Sequence, residues 1–313
     1  WRYKVDLVLT PGIEAVGVDD AFLEYRAEGW ALFIGEHNVT SPLEERTSSL
    51  DMPFIERSAL INAFGYGRRA GLGFLAGGDR WSFALAAQGG SMNGADGEGD
   101  VDESRALSTR FTFAPLIGEG HVLHLGMHAR HRYQNDANQR IRARPLNGRD
   151  TRWIDATSAA ANRIAEDDAF GAELVYVRGP FSVQGEYAVL HGQTPSGASR
   201  DFSAYYLDVS WSLTGESRPY TAEEGVFEAI EPRAPLGQGG FGHWALSARY
   251  DHADLSDGPD VQRGEQRAYA IGLDWVPAED WRVKFNVAHS DMDRSLGPDD
   301  EADIISLRAQ YAF

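Results

Sequence analysis

The chain of 313 residues contains no cysteine and carries a formal net charge of −18. The first excludes disulfide scaffolds, thiolate metal sites and a cysteine nucleophile; the second argues against nucleic acid as a partner, because binding a phosphate backbone takes a net basic surface. No run reaches the roughly 18–20 apolar residues of a membrane-spanning helix.

Period-two alternation dominates from the start, where Tyr3, Val5, Leu7 and Leu9 alternate with Arg2, Lys4 and Asp6. Leu123, Leu125, Met127 and Ala129 alternate with His124, His128, Arg130 and Arg132, and Phe181, Val183, Tyr187 and Val189 with Ser182, Gln184 and Glu186. Trp281, Val283, Phe285 and Val287 alternate with Arg282, Lys284 and Asn286. The last stretch sets Ile305, Leu307, Ala309, Tyr311 and Phe313 against Ser306, Arg308 and Gln310. This pattern is that of strands with one apolar face. It predicts fourteen, at 1–10, 18–27, 30–36, 67–77, 80–89, 104–114, 121–132, 168–178, 180–190, 201–213, 241–251, 265–275, 280–289 and 303–313.

The predicted strands run about 9–13 residues, the length a tilted strand needs to cross a bilayer, whereas soluble strands usually run about 5–6. Trp30, Trp81, Trp211, Trp244, Trp275 and Trp281 sit at the ends of apolar faces, as an interfacial girdle requires. Short connections (28–29, 77–79, 115–120, 179–180, 276–279) alternate with long ones (37–66, 90–103, 133–167, 190–200, 252–264, 290–302). That alternation is the habit of an up-and-down membrane barrel. The connection 214–240 breaks it, being long on the short-turn side. The expected fold is therefore all-β: one transmembrane antiparallel up-and-down β-barrel domain over 1–313, in the outer membrane of a Gram-negative cell. The acidic, glycine-rich stretches 93–104 and 290–303 read as solvated outer loops.

Several blocks resemble the phosphate-selective porin O and P family. They are Val18-Asp-Asp-Ala-Phe-Leu-Glu-Tyr-Arg26, Ser41-Pro-Leu-Glu-Glu-Arg-Thr-Ser-Ser49, Phe54-Ile-Glu-Arg57 and Gly67-Arg-Arg69. Further on come Gly179-Pro-Phe-Ser-Val-Gln-Gly-Glu-Tyr187, Leu213-Thr-Gly-Glu-Ser-Arg-Pro-Tyr220 and Trp244-Ala-Leu-Ser-Ala-Arg-Tyr250. The resemblance implies a sixteen-stranded, trimeric barrel that passes anions through a basic pore. Trp1 to Leu9 resembles the family's third strand, so the expectation is sixteen strands with about fourteen present in this chain. It further implies that 37–66 is a constriction loop and that 133–167 is an outer loop that dips inward.

Of the 29 basic residues, all but Lys4 and Lys284 are arginine. From 130 to 163, eight arginines (Arg130, Arg132, Arg140, Arg142, Arg144, Arg149, Arg152 and Arg163) face Asp136, Asp150 and Asp155, a surplus of five positive charges. A basic constriction attracts and partly dehydrates anions. Arg140, Arg142 and Arg144 would fall on one side of an extended segment, roughly 6–7 Å apart. Lipopolysaccharide phosphates are the competing partner for such a loop. Arg68 and Arg69 either line the lumen or pair with Glu44, Glu45 and Glu56 to pin the 37–66 loop. Arg110 adds to an inward basic wall together with Arg249, Arg282, Arg308 and Lys284, against inward Glu24, Glu173, Glu186, Asp208 and Asp274. With two lysines in all, a lysine-rich pore entrance is excluded, which weakens phosphate specificity more than anion preference.

His124 and His128 would lie roughly 13 Å apart on a strand, too far to share one ion at about 2.1 Å bonds, so the group His121, His124, His128 and His131 reads as lumen and rim histidines. Asn93 to Asp100 lacks the ligand order of a calcium loop. No Ser–His–acid context for a hydrolase stands out. The sequence thus predicts a homotrimeric porin without cofactor, its partners small anionic solutes and outer-membrane lipid. A barrel with a blocked, structural pore and an outer-membrane hydrolase are the alternatives.

Overall fold

A computed structural model of the chain describes residues 1–9, 16–92, 103–134, 139–148, 151–296 and 298–312. Among these residues fourteen long strands make one antiparallel sheet: β1 (Arg2–Leu9), β2 (Val16–Ala27), β3 (Trp30–His37), β4 (Arg69–Gly78), β5 (Trp81–Gln88), β6 (Ser104–Gly118), β7 (His121–Gln134), β8 (Glu166–Arg178), β9 (Phe181–Gln193), β10 (Ser199–Ser212), β11 (His243–Leu255), β12 (Gly264–Ala278), β13 (Trp281–Arg294) and β14 (Asp300–Tyr311). Their hydrogen-bonded order is their chain order. Among the described residues no helix is long and apolar enough to cross a membrane.

Every predicted strand is present, but several extend further. Alternation in hydrophobicity stops where the lipid stops, while the hydrogen-bond ladder continues into polar residues. The stretch 290–303, expected to be a solvated loop, is for this reason largely strand: β13 runs to Arg294 and β14 starts at Asp300. At the other end, 115–120 and 276–279 are not simple turns. β6 continues past Pro115 with a register shift between Phe113 and Leu116, and β12 past Pro277 with one between Trp275 and Ala278. Proline has no N–H to give the ladder, and the irregularity absorbs it. Phe313 and most of 93–104 lie outside the described residues.

The polarity is inside out. Ile305 is 74 % exposed and Ile271 61 %, while Arg132 is 1 % and Lys284 0 % exposed. In water this would be untenable, since a large apolar surface would be wet and many charges dry; lipid outside and a polar lumen inside resolve it. Outward aromatics pair along the short-turn end, stacked in Phe181–Trp211 and Trp244–Trp275 and tilted in Tyr25–Trp30 and Trp281–Tyr311. A second outward row, Tyr205, Tyr250 and Tyr269, lies toward the long connections.

Curvature follows from a single segment. The connection 38–68 bonds to inward side chains of β2 (Asp20), β9 (Glu186), β11 (Asp251) and β14 (Arg308). Strands twelve apart in the sheet order can share one short segment only if the sheet curls around it.

Candidate solute path

Among the described residues, parts of three connections pack against the inward side chains of the strands. The first, 38–68, holds two short helices, α1 (Leu43–Arg46) and α2 (Ala59–Phe64). The Leu43 and Glu44 N–H groups donate to Glu186 at 3.0 and 2.7 Å, and the Ala59 N–H donates to Asp251 at 2.9 Å. Glu44 in turn accepts from the Ser58 N–H and from Arg249, which also binds Asp208 through two nitrogens at 2.7 Å. On the far wall Lys284 reaches the Met52 carbonyl, Arg282 reaches Asp51, and the Ile55 N–H donates to Asn286 at 2.7 Å. Strand side chains thus satisfy the backbone of an irregular segment that would otherwise be costly to bury.

The second, the arginine-rich connection, packs on α2. Ile141, Ile154 and Ile164 join Leu60, Ile61 and Phe64 in one cluster, seated on inward Ala169, Ala188, Ala204 and Ala253. Small inward residues on β8–β11 leave the room for it. Because Ile141 and Ala143 face this cluster, Arg140, Arg142 and Arg144 fall on the opposite side of the extended segment. Arg140 is nonetheless paired with Asp155, and Arg142 is buried. Asp260, between β11 and β12, anchors the segment by accepting from Ser158 Oγ, the Ala159 N–H at 2.9 Å and Asn162 Nδ2 at 3.1 Å. Burial pushes this carboxyl up, but those bonds and the Gln262 N–H outweigh it and hold it at about 2. Asp260 therefore contributes above its ordinary value of 3.8, and the contribution is lost as pH falls through about 2. Replacing it with alanine is expected to expose 151–165 to proteolysis at neutral pH, where the native chain resists; equal resistance of the two would refute the anchor.

The third is the long connection 213–242, whose length the alternation of loops left unexplained. A two-residue ladder, Tyr220–Thr221 with Val226–Phe227, tucks inside. Phe227 and Tyr220 pack with Val122, Val175, Val177 and Leu43. Arg110 donates to the Gly225 carbonyl at 2.8 Å while holding Glu173 at 2.8 and 2.7 Å. Arg26 reaches Glu224 at 2.7 Å, and Arg218 lies 4.3 Å above the Phe227 ring.

The remaining sequence-predicted arginines differ in what they bind. Arg68 pins, bonding Asp20 at 3.1 Å and Glu45 at 2.8 Å, whereas Glu44 belongs to Arg249. Arg69 donates to the Gly89 carbonyl and to Ser104. Arg130 and Arg132 share a single carboxylate, Asp167, at 2.9 and 2.6 Å. Arg130 also donates to the Phe64 and Gly65 carbonyls and lies 4.8 Å from the Tyr66 ring. Gly65 ends α2 in the left-handed region (φ 63°), and a Cβ there would stand 3.3 Å from Arg132 Nη1. That Nη1 is buried and has no hydrogen-bond partner among the described residues. Beside this group lies a cavity lined by Arg69, Arg130, His128, Tyr66, Ser41 and Ser108. Arg152 reaches the Arg142 carbonyl at 3.5 Å, Arg144 has neither an ion pair nor a hydrogen bond among the described residues, and Arg149 lies outside them. His124 and His128 are in the lumen, His131 is on the outer wall, and His121 is at the short-turn rim. Sequence reasoning missed Asp167 as the shared counter-charge and the inward hairpin 220–227. The aromatics Tyr220 and Phe227, in a connection too long for its side, were the available signal for the hairpin.

Among known proteins, the chain is 31 % identical over 295 residues to an uncharacterized protein of Caulobacter vibrioides, covering 91 % of this chain and 58 % of that protein. It is 26 % identical over 349 residues to Porin O of Pseudomonas aeruginosa, covering 100 % of this chain and 78 % of that protein. The fold matches OmpT of Vibrio cholerae (TM-score 0.59, 10 % identity, 99 % of this chain and 83 % of that one). It also matches the anion-selective porin of Comamonas acidovorans (0.53, 11 %, 94 % and 77 %) and the channel DcaP of Acinetobacter baumannii (0.58, 12 %, 99 % and 79 %). The model of the phosphate-selective porin O and P family matches residues 6–313. With that match and its inside-out barrel wall, the chain belongs to the phosphate-selective porin O and P family.

Proposed function

We propose that this barrel is an outer-membrane porin for passive diffusion of small solutes, with a preference for anions. The observation that carries the preference is Arg130 and Arg132 sharing one carboxylate, Asp167, next to a cavity lined with hydroxyls, so that one guanidinium charge is left over. A planar guanidinium with a spare buried N–H suits an oxyanion passing through. Arg140, Arg142 and Arg144 of the outer connection would feed it, and 38–68 acts as the constriction. Like the trimer form of Vibrio cholerae OmpT, the barrel would work as a homotrimer.

Arg144 offers the cleanest test, because it holds nothing else together. Arg144→Glu is expected to lower the reversal potential measured in planar bilayers under a salt gradient while leaving the barrel folded. An unchanged reversal potential would remove this connection from the path, and cation preference of the native chain would overturn the reading. The three inward segments favour one alternative, a structural barrel with an obstructed lumen; complete absence of conductance would select it.

A further inference from the structure

The outer wall carries a feature the solute path does not use. Four histidines, His131, His191, His252 and His289, point outward near the long-connection ends of β7, β9, β11 and β13. Each faces a carboxylate on the next paired strand: Asp168 at 2.9 Å, Asp201 at 2.6 Å, Glu265 at 3.5 Å and Asp303 at 2.8 Å. Two of them stand directly across from the outward tyrosine row, His252 from Tyr205 and His289 from Tyr269.

At His289 the pattern goes further. Its Nδ1 is 2.8 Å from Asp303 and its Nε2 is 3.1 Å from Asp291. Glu301 is the cross-strand partner of Asp291. One ligand atom from each of His289, Asp291 and Glu301 lies within 4.8 Å of the other two, the one such group among the described residues. The nearby arginines are engaged elsewhere, Arg267 with Glu265 and Asp293, and Arg294 with Asp300.

The proton arithmetic of a neutral imidazole points to a cation. If Nδ1–H is donated to Asp303, Nε2 presents a lone pair to the oxygens of Asp291 and Glu301. Three acceptors then converge, and either a proton on Nε2 or a metal cation must sit among them. A carboxylate behind the imidazole is also the arrangement that orients metal-bound histidines. One imidazole and two carboxylates suit a borderline transition cation rather than calcium or magnesium.

We propose that His289, Asp291 and Glu301 bind a divalent first-row transition cation on the outer wall, with Asp303 as the positioning residue. Bonds of about 2.1 Å need ligand atoms about 3–4 Å apart, within reach of small rotamer changes from the spacing present. The ion would join β13 to β14 and offset the local acidic surplus.

The test uses the purified barrel in detergent, washed with chelator and titrated calorimetrically with Zn2+. One tight equivalent is expected, lost in His289→Ala and weakened about 10–100-fold in Asp303→Asn. His191→Ala should leave it unchanged. If His289→Ala fails to fold, Glu301→Gln decides: a weakening of Zn2+ affinity supports the site. Zn2+ affinity unchanged in Glu301→Gln and His289→Ala would overturn the site, as would Ca2+ binding more tightly than Zn2+ with no dependence on His289. No Zn2+ binding by the native barrel would leave a protonated imidazole as the positive centre and equally end the proposal.

Discussion

Replacing Arg249 with methionine is expected to destabilise the barrel by about 3–5 kcal/mol, the usual cost of removing one partner from a buried ion cluster. Arg249 donates to Asp208 and Glu44, to the Glu56 carbonyl, and packs over Phe54 and Tyr206. Methionine keeps the volume but leaves two buried carboxylates without a cation. Glu44 also receives the Ser58 N–H, so the middle of 38–68 loses its tie to Asp208 on β10 and keeps on β11 the Ala59 N–H bond to Asp251. Two readouts follow: an earlier urea midpoint, and single-channel records that become noisy and larger as the crossing comes loose. The double variant Arg249→Met with Asp208→Asn should recover part of the stability. Quiet, native-sized channels in Arg249→Met would show that the crossing is held from elsewhere.

The second large effect is expected at Gly77, on the inward face of β4. A Cβ there would stand 2.1 Å from the Glu223 carbonyl oxygen of the inward hairpin. Valine suits the strand itself, so Gly77→Val should leave the sheet intact and push the hairpin out of the lumen. Conductance is expected to rise severalfold, and the Arg110 contacts to the Glu224 and Gly225 carbonyls are lost with it. Unchanged conductance would mean that solutes do not pass where the hairpin sits.

The strands were legible because the lipid face imposes a local rule: every second residue answers to the same apolar environment, whatever its partners. Even the inward positions of Arg110, Arg249 and Lys284 followed from that alternation. What fills the lumen was not legible, because it answers to distant residues. Arg130 could be read as inward, but its counter-charge Asp167 lay in a stretch read as loop, 37 positions on. The pairing of Arg68 with Glu45 was among the alternatives, whereas the assignment of Glu44 to Arg249, 205 positions away, had no local trace. The outward histidines were similarly hidden. Only the register shows that His289 and Asp303 stand opposite each other.

The crossing at 38–68 also sets an order of assembly. It is made early in the chain, yet the Ser49 carbonyl is bound by Arg308, 259 residues later. Contacts of such separation form late, after the entropy of closing the intervening chain has been met. The Ser49 end of 38–68 must therefore wait for this last tie, although its bonds to Glu186 and Asp251 can form before the final strand arrives. A nascent barrel would thus hold most of its interior before its seam closes, and insertion halted before β14 should leave a leakier pore whose constriction is loose at the Ser49 end.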